Sequence, residues 1–260
     1  MRDTDAAELE PAPEAVFDSV ERVPAYRIAE RVIRSKILDG SLSPGMLLPP
    51  ETALAEQMGV TRPTIREALR SLEGAGLIER GARRRMAVTA PDQSVVSTAL
   101  HEAIVLHGIS YRELWELQLA VEPTAARLAA DRVTPELIER LDANLDRTAD
   151  VLDDAAELAK VDVEFHDLVA QASHNHALLL ARAPLGALLL PAYGRVIETI
   201  GPGRRLFEAH GKIVDAIRKG DAATAEDWMR KHFMDFRRGC ELAELDLDDP
   251  VTARDSKSQG

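Results

Sequence analysis

The sequence predicts a mainly α-helical protein of two parts, with β-structure confined to a short hairpin in the first part. Three observations lead to this prediction. Apolar residues recur at helical spacing through most of the 260 residues. Strand-like alternation occurs only within about the first 90, and the two parts differ in charge. At roughly 100–200 residues per domain, this length allows one large domain or two unequal ones.

The pattern of the first part predicts three helices followed by a hairpin, which is the element order of a winged helix-turn-helix. Helical spacing of apolar residues predicts each helix, and Asp39-Gly40 ends the first one. The N-terminal arm is acidic and interrupted by prolines, so we expect disorder there. The predicted bounds are an arm at 1–20, helices at 25–38, 51–58 and 61–75, the whole domain at 21–91, and a linker at 92–96.

After Pro91 the strand signals disappear and only helical patterns follow, so we expect an all-α antiparallel helical bundle. Glycine, proline and asparagine mark the helix ends, and Pro191 is expected to break one helix into two. A disordered acidic tail is predicted at 246–260, where apolar periodicity stops. The predicted helices are 95–107, 110–131, 134–150, 154–173, 176–189, 191–200, 204–219 and 221–245, within a domain at 97–245.

Charge separates the same two parts. The whole chain has a net charge of −12, yet residues 22–90 hold 12 Lys and Arg against 7 Asp and Glu. The remainder is therefore strongly acidic. A basic part joined to an acidic part is typical of a nucleic-acid-binding module tethered to a module with another task. Chance clustering of surface charge is the alternative.

Composition excludes several classes of protein. The longest apolar runs, such as 187–191, are far shorter than the roughly 18–20 residues that cross a bilayer. No basic stretch followed by an apolar one opens the chain. Cys240 is the only cysteine, so an intramolecular disulfide framework and an all-cysteine zinc site are excluded. We expect no membrane partner and a reducing, cytoplasmic setting.

The third predicted helix has the layout of a DNA-recognition helix. Thr61 is a suitable N-cap residue. Arg62, Arg66 and Arg70 recur every four residues and form one ridge beside the apolar stripe. In such helices the early residues reach base edges in the major groove, and arginines bind guanine or phosphate. A solvated charged helix has a similar composition, but the preceding short helix and the following arginine-rich turn favour DNA binding.

Polar residues stand at predicted core positions of the second part. His210 and His232 each interrupt the apolar stripe of a helix, and Asp162 and His166 lie four apart on one face. Burying them unpaired costs roughly 1–3 kcal/mol per group. One shared divalent metal satisfies all four, and this donor set suits zinc first, with nickel, manganese or iron as alternatives. Hydrogen-bonded core histidines and a surface Asp–His pair are the competing interpretations.

Residues 43–80, SPGMLLPPETALAEQMGVTRPTIREALRSLEGAGLIER, resemble the winged helix of GntR-family bacterial transcription regulators. The Pro-Gly, Leu-Pro, Val-Thr-Arg, Arg-Glu-Ala-Leu and Gly-Leu positions match. The resemblance implies operator contacts by Thr61, Arg62, Thr64 and Arg66. The Gly-x-Gly usual in the family's wing is absent, and Arg83-Arg84-Arg85 stands there, which favours phosphate contacts. The candidate DNA-binding residues are Thr61, Arg62, Thr64, Arg66, Arg70, Arg83 and Arg84.

Three stretches of the acidic part look like the all-helical FCD effector domain that defines the FadR subfamily of these regulators. They are LAVEPTAARLAA, DVEFHDLVAQASHN and HGKIVDAIRKGDAATAEDWMRKHF. The resemblance implies that Asp162, His166, His210 and His232 bind a divalent metal at the base of a cavity for an organic acid. Gln118 stands where many relatives carry an arginine, and is the candidate effector-binding residue.

An amide at this position can hydrogen-bond an effector carboxylate but supplies no charge. Arg182, Arg195 and Arg204 are possible sources of that charge. Each of the three is more simply interpreted as a surface residue.

These observations favour a ligand-responsive, DNA-binding transcription regulator. We expect a repressor that binds a palindromic double-stranded operator as a homodimer, because two copies double a small footprint, and that responds to a small organic acid. One alternative is a metal-dependent hydrolase or lyase with an accessory basic domain. No Ser/His/Asp arrangement or Gly-rich phosphate loop supports it, so we expect no enzyme. The other alternative is a regulator with a purely structural metal and a long-chain acyl effector or none.

Overall fold

The computed structural model describes residues 23–81, 85–91, 93–201 and 203–252. They fold into two compact units that divide after Ala90. The described residues form ten helices and one two-stranded sheet, which confirms the mainly α fold. None of these helices has both the length and the apolar character that a bilayer-crossing segment needs. The predicted disordered arm at 1–20 lies outside the described residues.

The first unit contains α1 (Ala25–Leu38), α2 (Glu51–Met58), α3 (Arg62–Gly74), β1 (Ile78–Arg80) and β2 (Met86–Val88). Thr61 caps α3, as predicted, because its side chain accepts a hydrogen bond from the Thr64 amide. The two strands pair antiparallel, with Ile78 opposite Val88. Apolar side chains from all three helices and the hairpin share one core, with Ile65 fully buried. This core holds α3 with its arginine ridge outward.

The second unit is a helical bundle whose described elements are α4 (Gln93–Leu106), α5 (Tyr111–Arg132), α6 (Pro135–Asp150), α7 (Ala155–Ala172), α8 (His176–Ile200), α9 (Gly203–Lys219) and α10 (Ala222–Leu242). Helix α10 packs most extensively on α5, and α7 on α8. One apolar cluster surrounds Phe165 and Phe233, and a second surrounds Leu158 and Val196. These contacts bring α7, α9 and α10 together around the polar residues discussed below.

Two boundaries in the second unit differ from the predictions. Helix α4 begins at Gln93, so most of the predicted linker at 92–96 is helical, and Asp92 is outside the described residues. The predicted break at Pro191 is wrong, because α8 runs from His176 to Ile200 without interruption. Leu188 and Ala192 are buried on either side of this proline. Apolar packing along α8 compensates for the backbone hydrogen bond that proline removes.

The structure also corrects the predicted start of the disordered tail at 246–260. Residues 246–252, called the C-terminal strap below, turn back over the beginning of α5. Leu247 and Val251 are buried in the second apolar cluster, and the Val251 amide donates to a backbone carbonyl between α4 and α5. The strap's aspartates led to the prediction of disorder, yet two apolar side chains and backbone pairing anchor it. Residues 253–260 lie outside the described residues.

Candidate nucleic-acid interface and candidate metal centre

The arginine ridge of α3 faces outward in the first unit. Arg62, Arg66 and Arg70 have side chains that are 58%, 52% and 68% exposed. Arg66 donates to Glu51 at the start of α2 over 2.9 Å, and Arg62 lies 4.0 Å from the same carboxylate. The Arg66 guanidinium holds the pKa of Glu51 below its ordinary value. Glu51 therefore gathers two arginines at the N-terminal end of α3.

The other predicted DNA-contacting residues are only partly described. The hydroxyls of Thr61 and Thr64 lie 2.8 Å apart at the start of α3. In the wing, the Arg85 guanidinium donates to the Leu48 carbonyl over 3.1 Å, so this arginine is held against the domain. Arg83 and Arg84 lie outside the described residues. The placement of the candidate contacts is therefore known for α3 and for one wing arginine.

The four predicted metal ligands meet inside the second unit. Asp162 and His166 lie one turn apart on α7, His210 on α9 and His232 on α10, and one ligand atom from each lies within 4.8 Å of the others. Asp162 Oδ1 is 3.3 Å from His210 Nε2, 3.8 Å from His232 Nε2 and 4.0 Å from His166 Nε2. His232 is the least buried of the four, with 12% of its side chain exposed.

The cluster contains polar atoms that the described residues do not satisfy. Asp162 Oδ1 and both ring nitrogens of His210 are buried without a hydrogen-bond partner among them. Leaving such groups unpaired costs about 1–3 kcal/mol each. A divalent cation between the four side chains accepts lone pairs from a carboxylate and neutral imidazoles, so the donor set fits a metal site.

The electrostatics of the cluster also suit a cation. Burial alone raises the pKa of Asp162, but the surrounding imidazoles outweigh it and hold that pKa well below its usual range. Burial lowers the pKa of His210 against the opposing attraction of Asp162. Burial and the neighbouring His210 lower the pKa of His232 further. An ionised carboxylate with neutral imidazoles is the protonation state that binds metal.

A buried carboxylate on α5, that of Glu122, contacts the second ring nitrogen of His166. Glu122 Oε2 lies 3.2 Å from His166 Nδ1, and Glu122 Oε1 accepts a hydrogen bond from Arg182 Nε over 2.9 Å. When His166 donates from Nδ1, the lone pair on Nε2 is left for the cluster. A carboxylate in this position fixes the tautomer and the ring orientation of a metal-binding histidine.

Arg182 is buried in the structure, in contrast to the surface position inferred from the sequence. Only 1% of it is exposed, and it pairs with Asp167 and donates to the Val163 carbonyl over 3.1 Å. Gly186 leaves room for it, since a Cβ there would lie 3.3 Å from Arg182 Nη2. Glu122 was not among the residues that the sequence patterns singled out. The sequence feature that could have indicated a buried charge is the single arginine, Arg182, within the apolar run LLLARAPLGALLL.

Gln118 is fully buried one turn before Glu122 on α5. Its Oε1 accepts a hydrogen bond from the Tyr193 hydroxyl over 3.1 Å, and its Nε2 has no partner among the described residues. Burial raises the pKa of Tyr193 well above its usual value, so its hydroxyl remains a donor. Arg195 and Arg204, the other candidate sources of charge, are exposed.

A cavity of about 60 Å³ lies against the metal-ligand cluster. Asp162 and His232 contribute polar atoms on one side, and Tyr193 also lines it, whereas Gln118 lies behind Tyr193. Exposed polar residues of α9 and α10, among them Arg238, border the cavity elsewhere. The apolar wall consists of Val196, Ile197, Ile200, Leu206, Phe236 and Leu242.

Comparisons with known proteins agree with both halves of the chain. Residues 25–88 match the model of the gntR family of bacterial regulatory proteins, and residues 113–235 match the FCD domain. The HTH-type transcriptional repressor NanR of Cronobacter sakazakii is 30% identical over 238 residues, which cover 87% of this chain and 91% of NanR. The HTH-type transcriptional regulator LutR of Bacillus subtilis is 29% identical, over 75% of this chain and 92% of LutR.

A solved structure agrees as well. Streptococcus agalactiae GntR is 27% identical and superposes with a TM-score of 0.60, covering 82% of this chain and 99% of that chain. These matches bear out the resemblance and exclude the hydrolase or lyase alternative. The family model, the FCD match and the 30% identity to a repressor over most of both chains show that this chain belongs to the GntR family of bacterial regulatory proteins, as a DNA-binding transcription regulator and not an enzyme.

Proposed function

We propose that this regulator is a FadR-subfamily repressor that binds a palindromic operator as a homodimer and is modulated by a small organic acid at a metal-containing site. One observation supports the proposal most directly. Four potential ligand side chains cluster beside a cavity, and several of their buried polar atoms have no hydrogen-bond partner among the described residues. The four are Asp162, His166, His210 and His232. The similarity to repressors supports the DNA-binding part.

Operator recognition is assigned to the N-terminal end of α3. Arg62 and Arg66 are exposed there and share the carboxylate of Glu51, which positions both guanidinium groups. A bidentate contact between an arginine and guanine contributes about 1–3 kcal/mol of discrimination. Thr61 and Thr64 lie beside them, and the remaining candidates contact phosphates. Those remaining candidates are Arg70, Arg83 and Arg84.

The four clustered side chains would hold one divalent ion, with zinc as the first expectation, and the bound ion would supply a Lewis-acid site for an effector oxygen. Glu122 orients His166, and Tyr193 presents its hydroxyl to the cavity. Gln118 acts on the effector through Tyr193, whose hydroxyl it positions. An effector in this cavity touches α7, α8 and α10 at once, and tightening these helices shifts the population of DNA-binding states.

The DNA-binding part is tested by selecting bound sequences from a random DNA pool and measuring affinities for the selected operator. Arg62→Ala and Arg66→Ala should each weaken operator binding about 10–100-fold, with a smaller effect on random DNA. Arg140→Ala, an exposed arginine of the second unit, is the control and should bind like wild type. Wild-type operator affinity in both α3 variants would contradict the assignment.

The metal-binding part is tested by elemental analysis of protein purified without chelator. We expect one divalent ion per chain, lost in His210→Ala and His232→Ala, and a lower melting temperature in both variants because bound metal stabilises only the folded state. If no metal is found and both variants melt at the wild-type temperature, the alternative interpretation holds, in which these histidines are ordinary hydrogen-bonded core residues. Metal binding without any response of operator affinity to small organic acids would favour the structural-metal alternative.

A further inference from the structure

We propose that the effector is a short aliphatic monocarboxylate of about four or five carbons, whose hydrocarbon chain carries no hydroxyl or second acid group. This inference rests on the proposed function and specifies the ligand class for the same site. It is carried by three features of the cavity, namely its wall, its charge balance and its size.

The wall opposite the metal-ligand cluster is apolar. Val196, Ile197 and Ile200 from α8 face Phe236 and Leu242 from α10 across the cavity. A hydrocarbon chain loses contact with water against these side chains and gains free energy in proportion to the area buried. A hydroxyl on that chain would be buried against carbon atoms without a partner, which costs about as much as a lost hydrogen bond. The wall therefore selects against hydroxylated and sugar acids.

The charges around the cluster select a single negative charge. Asp162 is the one carboxylate among the four clustered side chains, and histidines bind a metal as neutral imidazoles, so a divalent ion would leave one positive charge to balance. One carboxylate makes the buried site neutral, whereas a dianion leaves an uncompensated charge in the interior. The buried Glu122 and Arg182 beside the cluster balance each other, and Arg238 at the cavity is exposed to solvent, which screens its charge.

The size of the cavity limits the length of the chain. About 60 Å³ corresponds to roughly four to six water-sized groups, since one such group needs about 10–15 Å³ of this kind of volume. A carboxylate against Asp162 and His232 uses part of this space. Its two oxygen atoms take about two of these groups, so the remainder accommodates a chain of about two to four carbon atoms.

The test is calorimetric titration of the zinc-loaded, full-length protein with three probes of similar size. We expect 3-methylbutanoate to bind at least tenfold more tightly than 3-hydroxybutanoate, which replaces one methyl group by a hydroxyl, and than butanedioate. Butanedioate carries a second charge that could reach Arg238, the exposed arginine at the cavity that makes no ion pair among the described residues. Metal-free protein should bind 3-methylbutanoate at least tenfold more weakly than zinc-loaded protein.

A nearly isosteric variant tests the apolar wall directly. Val196→Thr should weaken 3-methylbutanoate binding about tenfold, and its zinc content and melting temperature are measured to check that the metal site and the fold are intact. Val214→Thr is the matched control, because Val214 is fully buried in the first apolar cluster and does not line the cavity. It should bind 3-methylbutanoate like wild type.

The possible failures separate the two proposals. Equal or tighter binding of 3-hydroxybutanoate or butanedioate overturns the inference and leaves the proposed function intact. Equal affinity of Val196→Thr and wild type for 3-methylbutanoate also overturns the inference alone. Failure of zinc to bind to the wild-type protein overturns the metal site of the proposed function, and the inference with it.

Discussion

Arg182 brings a full charge into the interior of the bundle, where Glu122 balances it. Both side chains are essentially unexposed, and their oxygen and nitrogen atoms are 2.9 Å apart. A buried ion pair of this kind adds little net stability, but removing one partner leaves an uncompensated charge in a low-dielectric environment. These two residues therefore should matter more for stability than any surface ion pair of the chain.

We expect Arg182→Met to lower the free energy of unfolding by about 3–5 kcal/mol, because it leaves the buried Glu122 carboxylate without a compensating charge and with only its contact to His166. The measurement is urea denaturation of metal-free protein. Adding Glu122→Gln should recover part of this loss, since the remaining amide carries no charge. Arg147→Met is the control, because Arg147 and Glu164 pair in solvent with exposed side chains, and it should cost less than about 1 kcal/mol. Equal losses in the two arginine variants would contradict the prediction.

Glu122 has a second expected role, through His166. Glu122→Gln should weaken zinc binding about 10–100-fold, as is typical when the group that orients a metal-binding histidine is removed. Competition with a chelator of known affinity measures this change, and circular dichroism of the metal-free variant checks that it is folded. Glu116→Gln, an exposed residue of the same helix, should bind zinc like wild type. Unchanged zinc affinity in Glu122→Gln would show that the 3.2 Å contact with His166 does not orient the ring.

At the scale of elements, α8 and α10 approach closely at one glycine. A Cβ on Gly239 would lie 2.7 Å from Val196 Cγ1 and 3.4 Å from Ile200 Cδ1, both on α8. The same two α8 residues line the cavity. The distance between α8 and α10, and with it the shape of the cavity wall, therefore depends on Gly239 having no side chain.

We expect Gly239→Ala to be about 1–3 kcal/mol less stable than Gly211→Ala. An added methyl group at Gly239 overpacks the contact with α8, whereas Gly211 on α9 has nothing within 4 Å of its Cβ position. At Gly211 alanine only improves helix propensity, by up to about 1 kcal/mol. Thermal denaturation of both variants measures the difference, and equal melting temperatures would show that α8 and α10 separate without cost.

The C-terminal strap (residues 246–252) is a second element whose role can be measured. Leu247→Ala should lower the free energy of unfolding by about 2 kcal/mol, near the low end for a buried leucine because the strap can detach locally. Leu106→Ala, at a leucine that is 85% exposed, should change it by less than about 0.5 kcal/mol. If the two variants melt alike, the strap does not contribute to the fold in solution.

At the scale of the whole molecule, DNA binding must overcome a net charge of −12. Residues 22–90 hold an excess of positive charge, 12 Lys and Arg against 7 Asp and Glu, and a single copy of this segment offers a small footprint. We expect a homodimer, because a two-fold axis doubles the operator contacts. Sedimentation should give twice the mass of one chain, and scrambling one half of the palindrome should abolish most of the affinity. A monomer with full operator affinity would contradict this prediction.

The sequence by itself determined which segments become helices and which residues interrupt their apolar faces. Periodicity is a local property, so α3 with its arginine ridge and the stripes containing His210 and His232 could be read from neighbouring residues alone. Gathering Asp162, His166, His210 and His232 into one cluster required only that those faces point to a shared core.

Only the tertiary structure decided the features that depend on distant partners. Pro191 lies within a helix because apolar packing on both sides of it supports α8. Arg182 is buried because Glu122, 60 residues earlier in the chain, balances its charge. The strap is ordered because Leu247 and Val251 find an apolar cluster that no local pattern reveals. In each case the free energy comes from contacts between segments far apart in the chain, which local sequence patterns do not encode.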